Sequence, residues 1–148
     1  MKTATLTWVD GQQFVGRAGS GHGVIIDTGT EGGGHNAGPG PMELLLLGVL
    51  GCTGMDVISI LKKKRQNVTG LKITAAGEQA KETPHYYTRI ELDYVAFGDV
   101  DEEALRRSIE LSETKYCSAM ATLNGKTQFS TRYHVEKAAA SVEPAVTG

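Results

Sequence analysis

The stretch from Pro41 to Arg65, PMELLLLGVLGCTGMDVISILKKKR, decides how the rest of the chain is arranged. Pro41 has the fixed φ that suits a first helical position. Glu43 puts negative charge in the first turn. Lys62, Lys63, Lys64 and Arg65 put positive charge at the other end, the polarity a helix dipole favours. Leu44 to Leu47, Val49, Leu50, Met55, Val57, Ile58, Ile60 and Leu61 fall on every side of such a helix. A helix that is apolar all round must be covered all round. Cys52 lies in its middle.

A membrane span is the competing reading, since about 20 apolar residues cross a bilayer and a basic cluster follows. Glu43 and Asp56 argue against it, because an acid placed centrally in a membrane costs roughly 2.5 to 3.5 kcal/mol. Gly48, Gly51, Thr53, Gly54 and Ser59 add little apolar drive. The flanking sequence reads as sheet, so the segment is expected to be a central helix buried in protein.

At 148 residues the chain is expected to form one domain, 1–136, with a disordered tail over 137–148. Its 40% hydrophobic and 22% charged residues are ordinary globular composition. A net charge of −2 gives no reason to expect nucleic acid or an anionic membrane as partner. The start, MKTATLTWVDGQQ, has no apolar core of a secretory signal, so the cytoplasm is the expected location. In that compartment two cysteines point to catalysis, metal binding or inert packing rather than to a structural bridge.

Outward from the helix, Lys2 to Asp10 alternates, with Ala4, Leu6 and Trp8 on the face expected to be buried. Asp10-Gly11 signals a hairpin, Gln12 to Ala18 a second strand and His22 to Asp27 a third. Thr28 to Pro41, TGTEGGGHNAGPGP, is a loop. It lacks GxxxxGK[ST] and GxGxxG spacing, which argues against phosphate binding, yet its place at a helix start makes it a candidate site wall.

Beyond the helix, Val68 to Lys81 and His85 to Phe97 read as strands joined at Thr83-Pro84. Leu71, Ile73 and Ala75 share one face, and Tyr86, Thr88, Ile90, Leu92 and Tyr94 another. A second helix, capped by Asp99 or Asp101, is expected to run unbroken to about Leu123, lined by Leu105, Ile109, Tyr116, Met120 and Leu123. Thr127 to Glu136 is the last strand. The order β-β-β-α-β-β-α-β implies an α+β fold with one six-stranded, mainly antiparallel sheet. Gly48, Gly51 and Gly54 would let another backbone approach at the level of Cys52, which suggests a homodimer with the thiol near its seam.

Cys52 and Cys117 are each expected inside a helix. A buried thiol has a raised pKa, and Asp56, one turn past Cys52, would raise it further if it faced the sulfur. A reactive Cys52 therefore needs a cation; Arg17, Arg89, Arg132 and Lys115 are candidates. Inert packing is the alternative for both cysteines. His22, His35, His85 and His134 show no HxxH or HExxH spacing, so no metal or cofactor is expected. Zinc held by the two cysteines and a histidine has no motif behind it.

PMELLLLGVLGC, then DVISILKKKRQNV and later SETKYCSAM, resembles the OsmC/Ohr family, more closely its OsmC-like (YhfA-type) branch. The resemblance spans about Thr5 to Val135. It implies an intertwined homodimer with active sites at the interface. It implies a thiol peroxidase in which Cys52 attacks an organic hydroperoxide and becomes a sulfenic acid. Cys117 then closes a disulfide that a dithiol reduces. It also implies a supporting glutamate–arginine pair. The peroxidases carry that glutamate ten positions before the first cysteine, where this chain has Met42; its acid is Glu43, and Arg17 is the arginine candidate by region. An offset of one residue rotates a side chain by about 100° around a helix. Thr53 and Ser118 stand where phenylalanine and proline usually follow the two cysteines. The alternative function is a non-enzymatic redox sensor, or a dimer that binds a small apolar ligand.

Overall fold

The computed structural model describes residues 1–137; the tail expected over 137–148 lies, from 138 on, outside the described residues. The chain divides into two compact units, Met1–Leu47 and the residues from Gly48 on.

The first unit holds β1 (Ala4–Asp10), β2 (Gln13–Ala18) and β3 (Gly23–Ile26), paired antiparallel in that order. Gly11, with φ +51°, makes the first turn, as Asp10-Gly11 predicts. Trp8 Nε1 donates to the Gly11 carbonyl at 3.0 Å and pins that turn. The buried face expected for β1 is not found. Every residue of β1 is exposed, Trp8 at 62%; β1 is the edge strand of a three-stranded meander and pairs with β2 alone.

The long segment is helical from Pro41 to Lys63, here α1, and it runs through the boundary between the units. It ends at Arg65, whose φ of +58° takes the left-handed conformation common after a helix. The expectation of burial all round is corrected. Only Val49, Thr53, Val57 and Leu61, four apart and so on one stripe, are buried. Met55 is 76% and Leu47 54% exposed, because the chain supplies a partner to one stripe alone. α1 is long and apolar enough to cross a membrane by length and composition.

The second unit adds β4 (Asn67–Gln79), β5 (Tyr87–Asp99) and β6 (Gln128–Glu136). β4 and β5 pair antiparallel, and β6 joins β5 in parallel, which needs the intervening helices as its crossover. The six strands thus form two three-stranded sheets among the described residues, not the single six-stranded sheet expected. Ile90, Leu92, Tyr94 and Ala96 of β5 alternate into the core, as the pattern requires. Tyr86 and Thr88 do not join them. The register shifts between Glu78 and Gln79, so Thr88 is bulged out and Tyr87 becomes the buried ring.

The second helix is broken. It is helical over Glu102–Leu111 (α2), winds into a π-helical turn over Ser112–Tyr116, and restarts at Ser118–Leu123 (α3). Asp101 caps α2 by accepting from Ala104 N at 2.8 Å. Ser108 and Thr114 turn their hydroxyls back onto the carbonyls of Ala104 and Glu110, each at 2.7 Å, a pattern that loosens regular helix. The extra residue in the π turn swings Tyr116, expected inside, out to 49% exposure and buries Ser112 instead.

Candidate functional site

Cys52 sits one turn before Asp56 on α1, so both side chains lie on one face. Cys117 sits in the break between α2 and α3, with φ −71° and ψ 98°, rather than inside a helix as expected. Its N–H closes the π turn onto the Ser112 carbonyl at 2.8 Å. Its Sγ caps α3, accepting from Met120 N at 3.5 Å. These two fixings bring the sulfurs of Cys52 and Cys117 and a carboxylate oxygen of Asp56 within 4.8 Å of one another.

The two thiols differ in environment. Cys52 is half-buried, and a side chain at its neighbour Gly51 would meet nothing within 4 Å. Cys117 is 3% exposed. Burial pushes the Cys117 thiol up to about 11; the Met120 N–H opposes this, and the hydrogen bond and charge of Cys52 add to it. At neutral pH Cys117 is a protonated thiol beside a more accessible one.

Behind the sulfurs runs a chain of hydroxyls. Tyr94 Oη and Thr53 Oγ1 are 2.7 Å apart, Thr53 Oγ1 and Ser112 Oγ 3.0 Å, and Ser112 Oγ and Asp56 Oδ2 2.9 Å. An ionised carboxylate only accepts, which sets the direction. Ser112 donates to Asp56, Thr53 to Ser112 and Tyr94 to Thr53, so each hydroxyl gives its one proton once. Burial pushes the Tyr94 phenol up, against the Thr53 hydrogen bond, and keeps that chain protonated. Thr53 is the middle member, and without its hydroxyl Tyr94 and Ser112 would not be linked.

The other expected site residues lie in the first unit. Glu43 Oε2 accepts from Gly40 N at 2.7 Å, half of a capping box at the start of α1. Arg17 is exposed on β2 opposite Thr5, and it forms no ion pair with Glu43 among the described residues. Of the alternative cations, Arg89 pairs with Glu91 at 2.7 Å, and the Lys115 ammonium lies over the Tyr116 ring. The four histidines are exposed, as expected, and none joins the cysteine cluster. The sequence reading missed Ser112, and it treated Asp56 only as an unfavourable neighbour.

The glycine-rich loop is built around Asp27. Its buried carboxylate accepts from Thr28 N at 2.8 Å, His35 N at 3.0 Å and Ala37 N at 3.1 Å. Burial alone would push this carboxyl up, but the three N–H donors hold it below the usual range. Donors that a phosphate would use are therefore taken by the chain's own acid, which agrees with the absence of a phosphate motif. Gly38 is needed there, since a Cβ would lie 2.4 Å from the Ile25 carbonyl oxygen.

A family model described as OsmC-like protein matches residues 33–132. Protein YhfA of Escherichia coli strain K12 is 35% identical over 133 residues, which cover 89% of this chain and 96% of that protein. A hypothetical protein from Aquifex aeolicus VF5 superposes with a TM-score of 0.82 at 35% identity, covering 92% of this chain and 96% of its own. An organic hydroperoxide resistance protein from Elizabethkingia anophelis, crystallised with thiocyanate bound, superposes with a TM-score of 0.71 at 16% identity. It covers 92% of this chain and 96% of its own, a likeness of fold.

Proposed function

This chain belongs to the OsmC-like protein family, and from that premise we propose that it reduces organic hydroperoxides through Cys52 and Cys117. Membership points to a redox or peroxide-resistance role; the substrate class is the finer reading. The observation that carries it is the pair of sulfurs within 4.8 Å, one half-exposed and one buried. In the proposed cycle the more accessible Cys52 sulfur attacks the outer peroxide oxygen, leaving a sulfenic acid and releasing the alcohol. Cys117 attacks that sulfur, forming the disulfide and releasing water. A dithiol takes the disulfide back to two thiols and is itself oxidised to a disulfide. Asp56 is the carboxylate nearest both sulfurs, and it takes the Cys117 proton in the second step. Glu43 and Arg17, which form no ion pair with each other among the described residues, are each proposed to support turnover, and the test is its loss in Glu43→Gln and in Arg17→Ala.

The test is turnover of cumene hydroperoxide with a dithiol reductant. Wild type turns over, Cys52→Ser does not, and Cys117→Ser stops after the sulfenic acid. Equal rates for wild type and Cys52→Ser reject the reading. The second reading, a sensor or an apolar-ligand binder, is favoured by the engagement of Glu43 in capping Gly40. It predicts a disulfide that forms once and no sustained turnover.

The same proposal includes a cytoplasmic homodimer and a single domain over 1–136; the family match covers residues 33–132. Exposed Met55 and Leu47, and open space beside Gly48 and Gly51, are the features of α1 that a second copy would cover.

A further inference from the structure

Beside its two sulfurs the site holds a third atom able to ligate a metal. Cys52 Sγ, Cys117 Sγ and a carboxylate oxygen of Asp56 lie mutually within 4.8 Å, and they are the one such group among the described residues. We propose that the reduced site binds one thiophilic divalent cation, of the zinc and cadmium class, through these three atoms, with a fourth position open.

The donor set fits. Two thiolates and a carboxylate are ordinary zinc ligands, and three protein ligands with one open position is the arrangement of a reactive zinc site. The spacing fits with little movement. Zinc–sulfur bonds of about 2.3 Å set two sulfurs about 3.8 Å apart at a tetrahedral angle. The present limit of 4.8 Å asks for a contraction of about 1 Å at most between the sulfurs and about 1.3 Å between sulfur and carboxylate oxygen. Rotation about single side-chain bonds supplies that without moving backbone.

The strongest support lies one layer out. Ser112 orients two of the three ligands at once. Its Oγ donates to Asp56 Oδ2 at 2.9 Å and so fixes the carboxylate beside the sulfurs. Its carbonyl takes the Cys117 N–H at 2.8 Å and fixes that residue's backbone. Thr53 and Tyr94 then hold Ser112 from behind. Ligand carboxylates in metal sites are held by outer hydrogen bonds of this kind. The imidazole that a search for zinc motifs looks for is replaced here by Asp56.

Binding exchanges each thiol proton for a sulfur–metal bond and sends the proton to solvent. It is incompatible with the disulfide. Two metal-bound thiolates, an azodicarboxamide oxidant such as diamide and two protons give the disulfide, the reduced hydrazine and the free cation. The inference stands on three side chains of the reduced protein and does not rest on peroxide turnover.

The test uses the full chain, reduced and stripped with a chelator, titrated with cadmium chloride and followed by thiolate-to-cadmium charge-transfer absorption. Zinc affinity is read by competition with a chromophoric chelator. One cation per chain is expected, with the band halved in Cys52→Ser and in Cys117→Ser. Asp56→Asn should keep the band and weaken zinc by at least about tenfold, and Ser112→Ala by about tenfold. Diamide should release the bound cation from wild type. A band that does not saturate at one equivalent overturns the proposal. So does zinc affinity unchanged in an Asp56→Asn protein that melts like wild type. Should that variant fail to fold, unchanged affinity in Ser112→Ala or cation retained after diamide overturns it equally. Failure of hydroperoxide turnover with these results intact would fall on the peroxidase reading alone.

Discussion

The environment of Cys117 makes a quantitative claim about alkylation. A thiol at about 11 rather than 9.0 carries about 100-fold less thiolate at pH 7. The thiolate of a weaker acid is the better nucleophile, and a Brønsted slope of 0.4–0.5 returns a factor of about 8. The net expectation is that Cys117 reacts with iodoacetamide roughly tenfold slower than an unperturbed thiol. At 3% exposure the reagent is also sterically hindered, so that factor is a floor. The perturbation is Cys52→Ser, which removes two of the influences holding Cys117 up, the Cys52 hydrogen bond and charge. Burial, the largest cause, remains. In the variant the labelling midpoint should therefore fall below about 11 yet stay above 9.0. The assay is mass mapping of the Cys117 peptide after timed alkylation of reduced protein across alkaline pH. Labelling of Cys117 as fast as Cys52 in wild type at pH 7 would refute the assignment of roles. A wild-type midpoint at or below 9.0 would refute the burial argument.

Three other outcomes follow from the same structure. Thr53→Val removes the middle of a fully buried hydroxyl chain and strands the Tyr94 phenol, so urea unfolding should show a loss of about 1–3 kcal/mol. Thr53→Val with Tyr94→Phe should recover part of it, since no phenol is then left unpaired. Stability should fall as pH rises from 9.0 to about 11, because over that window the unfolded chain ionises Cys117 while the folded chain keeps it protonated. The contribution is complete below the lower value, and Cys117→Ser should flatten the slope. Met55→Glu places a charge at an exposed apolar position of α1, and sedimentation should show the proposed dimer shifting to monomer; an unchanged sedimentation coefficient would move the interface elsewhere.

Most elements were legible because local periodicity and punctuation set them. Pro41 and the basic cluster bound α1, Asp10-Gly11 bound the first hairpin, and Asp101 was one of two caps named for α2. What failed was non-local or depended on one inserted residue. No local pattern tells three strands to stop pairing with the next three, so the two sheets were read as one. The bulge at Thr88 reversed which tyrosine faces inward, and hydropathy is blind to it because Tyr86 and Tyr87 are the same residue. The covering of α1 was overestimated because apolarity states a need for partners without saying that one chain supplies them.

The site was half legible for a related reason. Two cysteines in two helical segments can be read from sequence, but their proximity depends on a departure from helix. Had α2 run straight through, residue 117 would have advanced about 100° per position with the rest. Its sulfur could not then have reached the N–H of its own next turn. The π turn changes both. It ends on Cys117 N, puts the residue in extended conformation, and lets Sγ take the Met120 N–H while the side chain enters the core. The sequence signal was there in the hydroxyls of Ser108 and Thr114, which compete with helical hydrogen bonds. Those residues read as neutral helix surface when only apolar spacing is counted. The same break that buries Cys117 also delivers Ser112 to Thr53 and Asp56. One local irregularity therefore supplies the second sulfur, its raised pKa, and the hydrogen bond that aims the third ligand atom.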